Sequence, residues 1–296
     1  MPRSPGSSRK MTMPRCLPSI SFMRPASLMV MVLIGLMSGC TGANHPERVA
    51  ESTGSSLFSS LRGFYQADDG ITQFRSRGPI DVVVDSFAGD VTVHANPKLD
   101  ITTIQVTRIA QHGYLRGTEP RQALDYVKWT AELTPGPGPV ETLRVNVDYT
   151  GPEPWYMRAH LRIETPDLDR VTVQTTNGTV SIQNNTGPVD VKTNMGDVII
   201  ASNHPLIDAS TVLVVEGNVD YRVPGKSSGM FDVEVIDGDI EIWVPEGRWR
   251  YISQTPRDDT INAQLNDGDN PILLRTSEGD IRIAVVPDPT GFGPIR

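Results

Sequence analysis

The chain has 296 residues, enough for one large all-β domain or two small ones. Its 6% aromatic content, with 26 Gly and 24 Pro, suits many short strands and turns better than a helical bundle. A net charge of −8 argues against nucleic acid as a partner and against adsorption to anionic lipid.

The first 39 residues carry Arg3, Arg9, Lys10, Arg15 and Arg24 and no acidic residue. The apolar run from Ala26 to Gly39 is shorter than a membrane span requires and reads as the core of a signal peptide. It ends Leu36-Met37-Ser38-Gly39-Cys40, which resembles a bacterial lipobox, with Met37 where leucine is usual. The resemblance implies cleavage before Cys40, lipid on that cysteine, and a partner membrane reached through the lipid. An ordinary signal peptide with an incidental Cys40 is the alternative, and translation could start at Met11, Met13 or Met23. Cleavage would remove five basic residues and take the charge from −8 to about −13. Cys16 would leave with the signal, so no disulfide is expected in the mature chain.

Residues 40–78 read as a polar tether. Within it Leu57, Phe58, Leu61, Phe64 and Tyr65 recur at helical spacing, which predicts a short helix folded back over an open end of the domain. Ile80, Val82 and Val84 open a β-region; Gly89 turns the chain, and Val91 and Val93 resume the alternation. Ile101 to Ile109 predicts another strand. Glu119 to Val127, with Pro120 early, predicts the one short helix. Pro135 to Pro139 breaks the chain between two strands, Val127–Leu133 and Thr142–Asp148.

From Leu161 a repeat takes over. Gly178, Gly196, Gly217 and Gly238 are spaced 18, 21 and 21 residues apart, and Gly279 follows after 41, two periods. Thr255 to Ile261 falls midway and reads as a degenerate copy, with Asp258 or Asp259 where glycine would fall. In each copy three residues alternate inward before the glycine (Phe231, Val233, Val235; Val189, Val191, Thr193; Ile272, Leu274, Thr276) and three after it (Ile240, Ile242, Val244; Ile281, Ile283, Val285). One period cannot bury enough apolar surface alone; stacked periods can. The expectation is therefore an all-β fold, a single β-solenoid of roughly 20-residue coils over 79–285, with an irregular N-terminal β-region and a tail from 286 to 296. A β-sandwich of evenly spaced hairpins is the alternative.

The phrase T-x-x-G-[DNT]-[VI]-x-[VI], as in Thr193–Ile200 and Thr276–Ile283, follows an irregular β-region that ends Ile163-Glu164-Thr165-Pro166. This pattern resembles the bacterial exported "putative adhesin" family, a domain of unknown function. The resemblance spans about Ile80 to Val285 and implies a β-solenoid.

The residues after the corner glycines, Asp90, Thr179, Asp197, Asn218, Asp239 and Asp280, should form a column. Cation binding is one reading; hydrogen bonds to turn amides are the expected one. Asp237/Asp239, Asp258/Asp259 and Asp267/Asp269 could suggest glycan-cleaving pairs, but solvated turn carboxylates account for them. His45, His94, His112, His160 and His204 show no metal-ligand spacing, and Gly225-Lys226-Ser227-Ser228 has Asp220 where a phosphate loop needs glycine. No metal, cofactor or catalytic residue is expected. Ile199, Leu213, Val215, Trp243 and Leu273 fall on the outward phase. Trp243, Leu213 and Leu273 with Trp249 and Tyr251 make a candidate patch for a glycan or an envelope protein, unless the tail or the N-terminal region covers it. The reading is a lipid-anchored, non-enzymatic binding module of the envelope or cell surface. Its rivals are an accessory lipoprotein of stress or signalling that binds a membrane partner, and a β-helix polysaccharide hydrolase or lyase.

Overall fold

A computed structural model describes residues 64–112, 119–136, 138–254 and 259–291. The segment expected to be a signal peptide, Cys40 and the expected tether up to residue 63 lie outside the described residues.

The described chain is a β-solenoid built on two sheets. Its strands are β1 (Phe64–Phe74), β2 (Ile80–Ser86), β3 (Val91–Ala95), β4 (Thr102–Gln111), β5 (Val127–Pro135), β6 (Glu141–Tyr149), β7 (Met157–Thr165), β8 (Leu168–Asn177), β9 (Val180–Gln183), β10 (Val189–Met195), β11 (Val198–Ala201), β12 (Ser210–Glu216), β13 (Val219–Val223), β14 (Gly229–Asp237), β15 (Ile240–Trp243), β16 (Trp249–Gln254), β17 (Thr260–Leu265), β18 (Pro271–Glu278) and β19 (Ile281–Val285). Sheet A runs β1-β4-β7-β3-β9-β11-β13-β19-β15. Sheet B runs β16-β17-β14-β18-β12-β10-β8-β2-β6-β5. A regular coil contributes one strand to each sheet, and successive coils pair parallel and in register.

Alternation decides which side chains enter the core. Val84, Val173, Val191, Val212, Leu274 and Val233 lie in register across sheet B. Val91, Val180, Val198, Val219 and Ile281 do the same across sheet A. All of them are removed from solvent, each worth roughly 1.5–3 kcal/mol of burial. Polar residues hold most of the intervening outward positions, so a one-residue slip of any coil would bring them into the core.

The coils do not stack in chain order. At one end the last coil, β18–β19, inserts between β12–β13 and β14–β15. At the other, β2–β3 lies between β6–β7 and β8–β9. Antiparallel strands then close the ends: β4 and β1 beyond β7, β5 beyond β6, and β17 and β16 beyond β14. Among the described residues sheet A has no such cover beyond β15, where Ile240, Ile242 and Val244 are only partly buried while Ile281, Ile283 and Val285 one coil inward are sealed.

Three expectations need correction. Phe64 and Tyr65 begin strand β1, not a helix, so the stretch from 64 to 78 is not the loose tether expected there. A run with alternating burial that pairs with β4 gains ladder hydrogen bonds that a short helix would not. The predicted helix from Glu119 to Val127 is cut to α1 (Glu119–Ala123), then a 3-10 turn to Tyr126, and Val127 already starts β5. The degenerate copy near Thr255–Ile261 is no coil: β17 pairs antiparallel with β14 and β16. Asp259 stands where a corner glycine is required, and the corner column has no room for a Cβ.

That column is the device that stacks the coils. Gly279 has φ +133° and Gly217 φ +144°, a region L side chains rarely adopt. A Cβ on Gly279 would lie 2.3 Å from the Gly217 carbonyl oxygen, and one on Gly217 would lie 2.3 Å from that of Gly196. The same contact continues through Gly178 to Gly89 at one end and through Gly238 at the other.

Candidate functional site

The residues after the corner glycines form a hydrogen-bond ladder. Asp90 Oδ1 accepts the Thr179 N–H at 2.9 Å, Asp197 Oδ1 the Asn218 N–H at 2.8 Å, Asn218 Oδ1 the Asp280 N–H at 2.8 Å, and Asp280 Oδ1 the Asp239 N–H at 3.1 Å. At the far end His160 Nδ1 accepts the Asp90 N–H at 3.0 Å. These side chains are spent on fixing the next coil. Among the described residues no group of three or more His, Cys, Asp or Glu is placed to hold a metal ion.

Asp267 pairs with Arg248, Asp239 sits in the ladder, and Asp258 lies outside the described residues. Among the described residues the carboxyl that is raised is Asp169. Burial lifts it above the usual carboxylate range, and Asp81 and Asp208 add to the effect.

The apolar patch is split. Leu213 and Leu273 do lie together on the outer face of sheet B, on neighbouring β12 and β18. Val215 and Ile236 are exposed on the same sheet. Trp243 is at the edge of the other sheet. Trp249 turns inward: its ring packs 4.8 Å from Phe231, whose ring in turn meets Tyr221 at 5.9 Å. Tyr251 is half-exposed, edge-on to Trp249 at 6.2 Å. Ile199 stands outward on β11, partly buried, apart from the others.

One concavity lies at Trp243. The chain leaves β19 at Val286, whose N–H donates to Val223 O at 2.9 Å. It then reaches Asn203, beyond β11, where Asn203 Nδ2 donates to Thr290 Oγ1 at 2.5 Å. Ala201, Arg222 and Ala284, on the outward phase of β11, β13 and β19, are all buried along this path. Past them Trp243, Val286, Pro287, Asp288 and Gly291 line a slot of about 190 Å³. Asp288 Oδ1 accepts the Gly291 N–H at 3.0 Å and the Thr290 hydroxyl at 3.3 Å, which fixes the turn. Sequence reading found Trp243 by its outward phase. It missed Asp288 and Pro287, because nothing in a tail's composition says where it docks.

Residues 157–284 match the Toastrack DUF4097 family. The match spans β7 to β19, the part of the chain with regular coils. Among solved structures, a "putative cell adhesion protein" from Clostridium sporogenes ATCC 15579 is similar at 11% identity and TM-score 0.50, over 75% of this chain and 100% of that one. A "putative adhesin" from Bacteroides fragilis NCTC 9343 is 10% identical with TM-score 0.31, over 75% and 97%. A search of curated proteins found no match. The Toastrack match and the first of these structures agree with the solenoid and with the adhesin-family resemblance read from the repeat. At 11% identity the structural likeness is one of fold.

Proposed function

We propose that the protein is an exported lipoprotein, anchored through Cys40, whose Toastrack solenoid acts as a non-enzymatic binding module of the cell envelope. The observation that supports this reading most is the form of the surface. Two sheets of nine and ten strands present their outward side chains in register, on a frame fixed by the glycine column and the Asp/Asn ladder. Such a frame holds a broad, preorganised face with little ordering cost on binding. The fold likeness to a protein named for cell adhesion accords with it.

The test has two parts. Cells expressing the full chain are fractionated: the wild type should sediment with membranes and Cys40→Ser should be released, whereas full membrane retention of the variant would defeat the lipid anchor. The same cells, treated with a crosslinker, should capture an extracellular or wall ligand. Crosslinks confined to an integral membrane protein would favour the accessory-lipoprotein reading instead.

A further inference from the structure

We infer that the groove on the outer face of sheet A, across β4, β7 and β3, is a subsite for the hydroxyl groups of a neutral polysaccharide. The inference rests on the binding-module reading and names its ligand class.

The groove arises where the parallel coils give way to the antiparallel cap. His160 and Arg162 stand outward on β7, two residues apart. Across the antiparallel pair Thr107 lies opposite His160 and Gln105 opposite Arg162. On the parallel side Thr92 lies beside Arg162, and Asp90 turns the corner beside His160. Short threonines next to longer side chains leave a hollow of about 290 Å³.

The longer side chains are held by neighbours, which fixes what each presents. Gln105 Nε2 donates to Asp68 Oδ2 at 2.8 Å, so the amide oxygen, an acceptor, is the end left over. Arg162 Nε and Nη2 donate to Glu164 Oε1 at 3.0 and 2.5 Å, which leaves Nη1. His160 Nδ1 accepts the Asp90 N–H at 3.0 Å and stands 3.1 Å from Asp90 Oδ2. A neutral ring bonded to that amide carries its hydrogen on Nε2, and a charged ring carries one there as well, so Nε2 is a donor in both states. The hydroxyls of Thr92 and Thr107 have no hydrogen-bond partner among the described residues, and a hydroxyl both gives and takes. Gln105, Arg162, His160 and the two threonines all stand on strands, so the set is positioned before any ligand arrives.

This set decides the ligand. Donors, an acceptor and groups that are both stand together in one hollow, which matches the hydroxyls around a sugar ring. A peptide would need an apolar anchor, but the apolar side chain at the groove, Leu161, is sealed in the core at 2% exposure. Anions are disfavoured, because Glu164 already neutralises Arg162, Asp90 adds a carboxylate and the chain as a whole is acidic. Ser181 lies beside Thr92 on β9, so a polymer along the solenoid axis meets a further hydroxyl one strand on, about 4.8 Å away.

The experiment titrates the full-length protein with cellohexaose, maltohexaose and chitohexaose at millimolar concentration, read by calorimetry and saturation-transfer NMR. At least one should bind. Arg162→Met should weaken that binding at least about fivefold, and Thr92→Val combined with Thr107→Val by about the same factor, as expected when hydrogen bonds to a ligand are lost. Thr211→Val, on the outer face of sheet B, should change nothing. Valine keeps the shape of threonine and suits a strand, so thermal midpoints should be unchanged and show that each variant is folded. Absence of binding by all three sugars overturns the inference. So does Arg162-dependent binding of hexagalacturonate in their place. A sugar that binds the wild type, Arg162→Met and the double threonine variant alike overturns the groove but leaves the binding-module reading standing. Shortening of a hexasaccharide during the titration would defeat that reading itself.

Discussion

Asn218 Oδ1 accepts the main-chain N–H of Asp280 at 2.8 Å although 62 residues separate them. Its amide nitrogen meanwhile donates to Asp197 Oδ1 at 3.1 Å, so this one side chain joins a coil laid down earlier to the coil inserted last. Asn218→Ala should cost about 1–2 kcal/mol, since the Asp280 amide loses its acceptor in a partly buried corner. Denaturant unfolding measures the loss. Amide exchange gives the sharper reading: Asp280 should exchange faster in the variant while amides near Val180 keep their rates. Equal rates at Asp280 in both proteins would mean that the ladder contributes nothing to holding the inserted coil.

The glycine column makes a prediction that separates two glycines of like backbone sign. Gly279→Ala places a Cβ against the Gly217 carbonyl in a backbone region closed to alanine, and should destabilise by at least about 2–3 kcal/mol. Gly70 also has positive φ, at +78°, yet a Cβ there meets nothing within 4 Å. Gly70→Ala should cost only about 1 kcal/mol. Equal losses in the two variants would show that conformation alone matters and that the close stacking does not.

This column also explains what could be read from the sequence and what could not. Spacing and alternation placed Val189, Val233 and Ile281 in a shared interior because each coil repeats the same phase, a local property. The stacking order is not local. Gly217 to Gly238 is an ordinary 21-residue step, and no residue in it says that Gly279 will come to lie between them. The same holds at β16, where the antiparallel pairing set by β17 decides that Trp249 faces Phe231 and not solvent.

Two buried threonines at equivalent coil positions should respond oppositely to loss of the hydroxyl. Thr276 Oγ1 donates to Gly217 O at 2.8 Å, tying the inserted coil to its neighbour's corner. Thr175 Oγ1 is buried without a hydrogen-bond partner. Thr276→Val should therefore cost about 1 kcal/mol, whereas Thr175→Val should be neutral or stabilise by up to about 1 kcal/mol, because an unsatisfied polar atom is replaced by a methyl group. Paired urea titrations check the signs, and destabilisation of similar size in both would refute the distinction.

Stability should also fall in strong alkali, with Tyr221 as a principal cause. Its side chain is fully buried, and burial pushes the phenol up to about 12; a 3.4 Å contact with the Ser210 hydroxyl acts weakly in the other direction. In the unfolded chain a tyrosine titrates near 10. Between these values the folded protein keeps a proton that the unfolded chain releases, so stability is unaffected below about pH 10 and declines as pH rises toward 12. A two-unit difference corresponds to roughly 2–3 kcal/mol across that window. Tyr221→Phe should flatten that part of the profile. Tyr149, raised first by burial and then by Tyr126 and Glu153, contributes in the same direction and would remain. An unchanged slope in Tyr221→Phe would assign the alkaline loss to other groups.

The two tryptophans of the original candidate patch should part company under mutation. Trp249 caps the end of the core, tilted against Phe231 on the hairpin that closes sheet B. Truncation there removes a large ring from a packed cluster that includes Phe231 and Tyr221. Trp249→Ala should cost about 3–5 kcal/mol, the upper part of the range for large-to-small changes. Trp243 lies on the outward face of an edge strand and is exposed, so Trp243→Ala should cost less, about 1 kcal/mol. Thermal and urea unfolding of the two variants decide the matter. A loss of several kcal/mol at Trp243 would mean that the indole is a structural cap holding the C-terminal turn to β15.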